Sequence, residues 1–429
     1  MLQALRRTYL DIFTQHPVLV RLAAVGACVG SVYALVNGFA LPLYVRYDLL
    51  RGDPQRAVVV IGLLASTFLG AEMLMKFPLG HLSDRIGRRP LITIGPAVSC
   101  VTALIIPLIP ASRWALLFPL RAIDGMALAA VWPAAFALVA ERIPAGSRAS
   151  AMAVMWAVYM AGLAIGPALA GALIAIGPRA PFYLASGGLL LAALIARFGL
   201  PQPQRAQVQA HPPGEGEPGR FRLGPSLWGR RRWIALILFI TATQLTALTL
   251  LQPFLPLYAV EVLHLSKAKA PLLFVVPAVL VAGLGLPMGR LSDRWGKGRS
   301  VKVAMILAAT AMAALPLLSH LGAVMAVATV LMVAYMLGMP AWLALIGDLA
   351  PAHAYGGTLG VVATAQGVGA TIGPIIGGHL WVIDYRYSFW ASAALLGLCA
   401  LLVTAFLPSR PPAQATASAS AAGAAPGEP

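Results

Sequence analysis

Twelve apolar runs, each long enough to cross roughly 30 Å of hydrocarbon as a helix, restrict where this chain can fold. They occupy residues 18–45, 57–80, 91–110, 113–140, 151–176 and 181–200, then 233–260, 270–289, 300–319, 322–347, 357–380 and 386–407. In a bilayer each backbone amide must find its partner inside its own segment, so these runs predict helices. The expected fold is an all-α membrane protein with twelve transmembrane helices. A composition of 59% hydrophobic and 10% charged residues does not suit a water-soluble domain.

The net charge of +17 would suit nucleic acid if the basic residues gathered on one face. They are spread instead through short loops, which excludes that partner. Sorted by membrane side, 21 of the 31 Lys and Arg fall on the side of the N-terminus, 8 on the other and 2 within apolar runs. The positive-inside rule then predicts a multi-pass protein of the cytoplasmic membrane with both termini in the cytoplasm. The first run, behind Arg6 and Arg7, is too long for a cleaved signal and is expected to stay as the first helix. Cys28, Cys100 and Cys399 have neither metal nor disulfide spacing and read as packing residues.

Composition also divides the chain. Residues 1–200 form an expected N-terminal six-helix bundle and 231–408 a C-terminal one. The Pro-, Gly- and Gln-rich stretch 201–230 is an expected cytoplasmic linker, and 409–429 a low-complexity tail for which no fold is predicted.

The halves repeat each other. The block GHLSDRIGRRP, from Gly80 to Pro90, returns from Gly289 as GRLSDRWGKGR, and LPLY at Leu41–Tyr44 returns at Leu255–Tyr258. Pro133 and Pro340, Glu141 and Asp348, Gly162 and Gly369, Gly166 and Gly373, and Pro167 and Pro374 all pair at one separation. A duplicated six-helix unit accounts for this and predicts two pseudo-symmetric bundles. The charged block reads as a tight hairpin between helices: Gly80 and Gly289 for close backbone approach, Gly87 and Gly296 for the turn, and Arg85, Arg88, Arg89 and Arg294 in cytoplasmic water.

This block resembles the loop signature between helices two and three of the major facilitator superfamily, and the similarity extends over residues 18–407. The second copy departs from it with Lys297 and Gly298 in place of the paired arginines. The resemblance implies two bundles rocking about a central cavity, and a cytoplasmic gate in which Asp84 and Asp293 bond the start of a helix in the opposite half. Helix five contains GLAIGPALAG, with Gly162, Gly166, Pro167 and Gly171. This is similar to the Gly-Pro motif of the superfamily's antiporters. Gly373 and Pro374 continue the theme in helix eleven, where a glycine face permits close packing and a proline bends the helix into a hinge.

Four charges lie inside apolar runs: Glu72, Lys76, Arg121 and Asp124. Each costs about 2.5–3.5 kcal/mol near mid-membrane, so pairing is required. Glu72 and Lys76 are one turn apart and suit a salt bridge, with Glu72 also able to exchange a proton. Asp124 falls about 15 Å along helix four from Trp114. RAIDG, with Arg121 and Gly125, resembles the family's helix-four motif associated with proton transfer, with Asp124 where a neutral amide is common. Asp124 is therefore the candidate proton carrier and Arg121 its modulator, against the competing reading of a static ion pair.

Candidate substrate contacts are Tyr33, Asn37, Trp132, Gln244, Gln252, Tyr335 and Gln366, an apolar and aromatic set with few fixed charges. The expected function is proton-coupled efflux of amphiphilic small molecules by alternating access, with no cofactor, from a monomer. The alternative is a dedicated carrier of one metabolite, such as a sugar or organic ion. The sequence lacks HExxH, GxSxG and a phosphate-loop motif, which points away from intramembrane hydrolysis and ATP-driven pumping.

Overall fold

The computed structural model describes residues 16–129, 131–201, 228–282, 288, 291–292, 294–349 and 355–406. In the first half, α1 is Pro17–Leu49, α2 Pro54–Ile86, α3 Arg88–Leu108 and α4 Ala111–Arg142. They are followed by α5, Ala145–Ile174, and α6, Ala180–Gly199. The second half holds α7, Ile234–Val262, α8, Leu272–Ala282, α9, Lys297–Leu317, α10, Leu321–Leu349, α11, Tyr355–Ile383, and α12, Tyr385–Phe406. Among the described residues eleven helices are long and apolar enough to span a membrane. The run 270–289 is the twelfth. Its described part is α8, and the rest lies outside the described residues.

Within the first half α1 packs on α5 and α6, α2 on α4, and α3 on α4 and α6; the second half repeats this with α7 on α11 and α12, and α9 on α10 and α12. Glycine makes the closest of these contacts possible. A Cβ on Gly166 would stand 2.4 Å from the Ser31 carbonyl oxygen of α1, and one on Gly369 2.1 Å from that of Ala242 in α7. Repeat-related helices therefore use the same device, backbone against backbone. The tyrosines of the two LPLY copies also act alike. The Tyr44 hydroxyl donates to the Pro107 carbonyl (3.4 Å) and the Tyr258 hydroxyl to that of Leu315 (3.1 Å), each tying one helix end to another.

Neither α1 nor α7 is a regular helix. Turns of π-helix occupy Val36–Ala40, Val45–Leu49 and Tyr258–Val262, close to Pro42, Pro253 and Pro256. These prolines lack the amide a regular ladder needs.

The halves meet along α2 and α11 and, more lightly, along α5 and α8. The contacts lie from mid-depth to the face opposite the start of α1. Gly367 and Gly70 receive Met73 and Thr371, Gly62 receives the Pro374 carbonyl, and Gly171 receives Pro271. Beyond Met73, α2 leaves its partner, and Leu74 and Phe77 are exposed. A cavity thus opens toward the face where α1 begins and closes toward the other.

The hairpin expected over Gly80–Pro90 is shorter than its sequence suggests. α2 continues through Asp84 and Arg85 to Ile86, and α3 begins at Arg88. The reversal is confined to Gly87, whose φ of 92° is open to glycine; Gly296, at φ 84°, does the same in the second half. Gly80 has nothing within 4 Å of a Cβ placed on it, so the close approach expected there is absent from this conformation. Gly289 and Asp293 lie outside the described residues.

Candidate functional site

The centre of the first half is built around Arg121, which is 1% exposed. Spaced three residues apart on α4, Arg121 and Asp124 share one face, and Nη1 reaches Asp124 Oδ2 at 2.5 Å. Nη2 donates to the side-chain oxygen of Asn37 in α1. The guanidinium carbon sits 4.3 Å from the centre of the Phe68 ring of α2, a cation–π contact. Three helices thus converge on one cation. Gly125 permits it, since a Cβ there would lie 2.3 Å from the Phe68 carbonyl oxygen. Arg121 Nε has no hydrogen-bond partner among the described residues.

Glu72 pairs with Lys76 at 2.9 Å, and the lysine is half exposed toward the open side. The Tyr33 hydroxyl lies within electrostatic reach of Glu72, Arg121 and Asp124. Tyr33 and Asn37 share a cleft with Gln252, Arg121 and Pro374, which joins the two halves beneath the closed face.

Trp132 belongs to a closed ring of aromatics with Phe136, Trp156 and Tyr159; Trp132 and Tyr159 meet edge-on at 4.6 Å. Trp156, 51% exposed, lies on the α5 stripe of positions 156, 160, 163, 167 and 171 that meets the other half at Gly171. Its exposed ring therefore faces the opening between halves. Tyr159 is within electrostatic reach of Tyr33 and Glu72 and, in the other half, of Tyr335. Gln244 and Tyr335 line a second, largely apolar pocket among α7, α9, α10 and α12 with Met305, Met332 and Met339. The Gln244 Oε1 and Gln366 Nε2 atoms are buried without partners among the described residues.

At the end where α2 meets α3, Arg88 pairs with Asp84 and, at 2.8 Å, with Glu141 at the end of α4. Asp84 is therefore engaged within its own half, in contrast to the cross-half bond the resemblance implies. Arg89 donates to the Arg197 carbonyl of α6, while Arg85 and Arg294 are exposed. Gly162 and Gly166 seat α5 on α1, Gly373 seats α11 on α7, and Pro167 and Pro374 lie inside continuous helices.

Two features escape a reading of the sequence. Asn37 is a candidate there for the substrate but not for Arg121, from which it is 84 residues removed. At the closed face Arg46 Nε stands 2.8 Å from Glu261 Oε1, the one ion pair among the described residues that joins the halves. Its trace was available: Tyr47 and Glu261 each lie three positions past an LPLY tyrosine.

The comparisons with known proteins agree with this architecture. The family model of the Major Facilitator Superfamily matches residues 22–365 and, in a second match, 319–428. Multidrug resistance protein 1 of Bacillus subtilis (strain 168) is 24% identical over 351 residues, covering 81% of this chain and 87% of that protein. Multidrug resistance protein 2 of the same organism is 25% identical, covering 77% and 82%. The quinolone resistance protein NorA of Staphylococcus aureus (strain MSSA476) is 25% identical over about half of each chain, 49% and 50%. Among solved structures a D-xylose-proton symporter superposes with a TM-score of 0.76 at 16% identity, covering 91% of this chain and 98% of its own. A bacterial homolog of the human lysosomal transporter Spinster, inward-facing and unoccupied, gives 0.75 at 17%, covering 92% and 98%. At such identity these superpositions speak to fold alone. With the family model spanning most of its length, this multi-pass chain belongs to the major facilitator superfamily.

Proposed function

We propose that the protein exports amphiphilic, aryl-bearing small molecules in exchange for protons, by rocking its two bundles about the cavity between them. The observation that carries this reading is the buried Arg121–Asp124 pair, placed beside Tyr33 where the cleft reaches the closed face. Asp124 takes up the coupling proton and Arg121 tunes its affinity between conformations. Protonation removes one of the partners holding Arg121, so the state of the carboxyl bears on how α4, α1 and α2 pack. Glu72 adds a second carboxylate on the cavity wall.

The more basic face is assigned to the cytoplasm, which makes the described conformation inward-open and places both termini inside. Asp84, Arg85, Gly87, Arg88 and Arg89, with Gly289, Asp293, Arg294 and Gly296, form the cytoplasmic gate. It closes when the cavity turns outward, and Asp84 then exchanges Arg88 for the opposite half. Gly162, Gly166, Pro167, Gly171, Gly373 and Pro374 serve as the hinge faces. Trp132, with its ring partners, and Tyr33, Asn37, Gln252, Gln244, Tyr335 and Gln366 provide apolar and hydrogen-bonding contact without a dense set of cations. The names of the Bacillus and Staphylococcus relatives support a drug-like cargo. The chain works as a monomer in the cytoplasmic membrane, with 201–230 as the linker between the bundles.

The test is purified protein in liposomes with an imposed pH gradient and a panel of unrelated aryl compounds. Gradient-driven movement with mutual competition is the expected result. Movement indifferent to the gradient would remove proton coupling, and transport of a single sugar or organic ion without competition would make the protein a dedicated carrier.

A further inference from the structure

The ends of α1 and α7 carry charge that the mechanism above does not use. Each follows an LPLY segment and each passes into a π-helical turn, Val45–Leu49 and Tyr258–Val262. Such turns are frequent at functional positions. The Tyr47 hydroxyl donates to Glu261 Oε1 at 3.2 Å, and the two residues are separated by 214 positions. That is also the separation of Tyr44 from Tyr258. Residues at the same place in two repeats can touch only where the pseudo-twofold axis passes between them. Glu261 therefore lies beside the pseudo-twofold axis that relates the two bundles, at the face that closes.

Its surroundings are few and specific. From α1 come Arg46, with Nε 2.8 Å away, and Tyr47. From the loop after α7 comes Lys267, whose Nζ lies 4.2 Å from the centre of the Tyr47 ring. α1 also carries the carboxylate of Asp48, within electrostatic reach of Lys267, Arg179 and Arg51. The Arg46 Nε–H is not aligned on the carboxylate as a hydrogen bond, so charge holds this contact and only Tyr47 supplies an oriented bond. The Glu261 side chain is 28% exposed, which gives protons from the far face a direct path to it.

We infer that Glu261 is a second proton-binding group of the transporter, the acceptor of a latch with Arg46 and Tyr47 that holds the outer face shut while it is ionised. This rests on the reading that the halves rock and that this face is external. A proton on Glu261 neutralises the partner of Arg46 and leaves only the tyrosine bond, so protonation from the far face weakens the latch. External acid then biases the protein toward the outward-open form independently of Asp124.

The experiment places spin labels at Gly52→Cys and Lys269→Cys, on the two sides of the latch, in full-length protein with Cys28, Cys100 and Cys399 replaced, and reads their distance distribution in nanodiscs from pH 8 to pH 5. Two populations are expected, with the longer distance gaining as the pH falls. Glu261→Gln should raise the long-distance population about fivefold at pH 8, the order expected of a partly exposed ion pair, and abolish its pH dependence. Arg46→Gln should act in the same direction, and the exchange Arg46→Glu with Glu261→Arg should restore the short distance. Two populations that respond to pH unchanged in Glu261→Gln would overturn the latch while leaving rocking intact. A single distance in every condition would overturn the rocking of the halves and the latch with it.

Discussion

The α-carbon of Gly62 lies directly beneath the carbonyl of Pro374: a Cβ on Gly62 would stand 2.3 Å from that oxygen. This contact seals α2 against α11 and joins Pro374 to the opposite bundle. Backbone cannot yield as a side chain can, so any larger residue acts as a wedge. Gly62→Val should hold the far face open. With the native cysteines replaced, a cysteine at Leu69, which lines the cleft below, should react about tenfold faster with an impermeant maleimide from that face, a shift of about 1.4 kcal/mol.

The Arg121–Asp124 pair predicts an asymmetry between removing one charge and removing both. Asp124→Leu leaves an arginine that is 1% exposed without its counter-ion, a loss of about 3–5 kcal/mol. Adding Arg121→Met should recover most of that stability while transport stays abolished. Thermal unfolding in detergent, read beside uptake, separates the two effects.

Two glycines of α2 and α4 should behave oppositely. Gly125→Ala drives a methyl into the Phe68 carbonyl and should cost about 1–3 kcal/mol, lowering the melting temperature and the transport rate together. Gly80→Ala meets open space inside a helix, where alanine is favoured by about 1 kcal/mol. In the described conformation the protein should therefore be unchanged or stabilised. If Gly80 is needed in the outward-open form, transport alone falls.

Trp156, half exposed beside Phe136 and Tyr159, offers an open aromatic surface on the candidate ring. Trp156→Ala should raise the apparent KM for aryl substrates by roughly 2–10-fold, the range of a lost aromatic contact, with little change in kcat. A matched set of aliphatic and aryl cations would check it, the aliphatic members being less affected.

How far the chain could be read beforehand depended on whether a relationship was local or tertiary. Helical spans, the duplication and the Arg121–Asp124 pair follow from spacing along one segment. The extent of the Gly80–Pro90 turn is hidden because charged residues suggest a loop, whereas the 33-residue α2 simply outlasts the hydrocarbon and carries Asp84 and Arg85 beyond it as helix. Asn37 on Arg121, Phe68 under it and Gly62 against Pro374 depend on how helices distant in sequence cross. The Arg46–Glu261 contact was partly legible, since the LPLY copies put Tyr47 and Glu261 in one register. What hid it was that the two repeats carry different residues at that position.

Asp124 is the proposed proton carrier. Its most direct test is substrate-evoked proton movement, followed with a pH-sensitive dye in proteoliposomes, in wild type and Asp124→Asn. The wild type should move protons when an exported aryl compound is supplied. The variant should bind and exchange that compound across the membrane yet move no protons and build no gradient from an imposed pH difference. Equal proton flux and equal gradient-driven transport in Asp124→Asn would contradict the central claim and leave the Arg121–Asp124 pair as a structural brace.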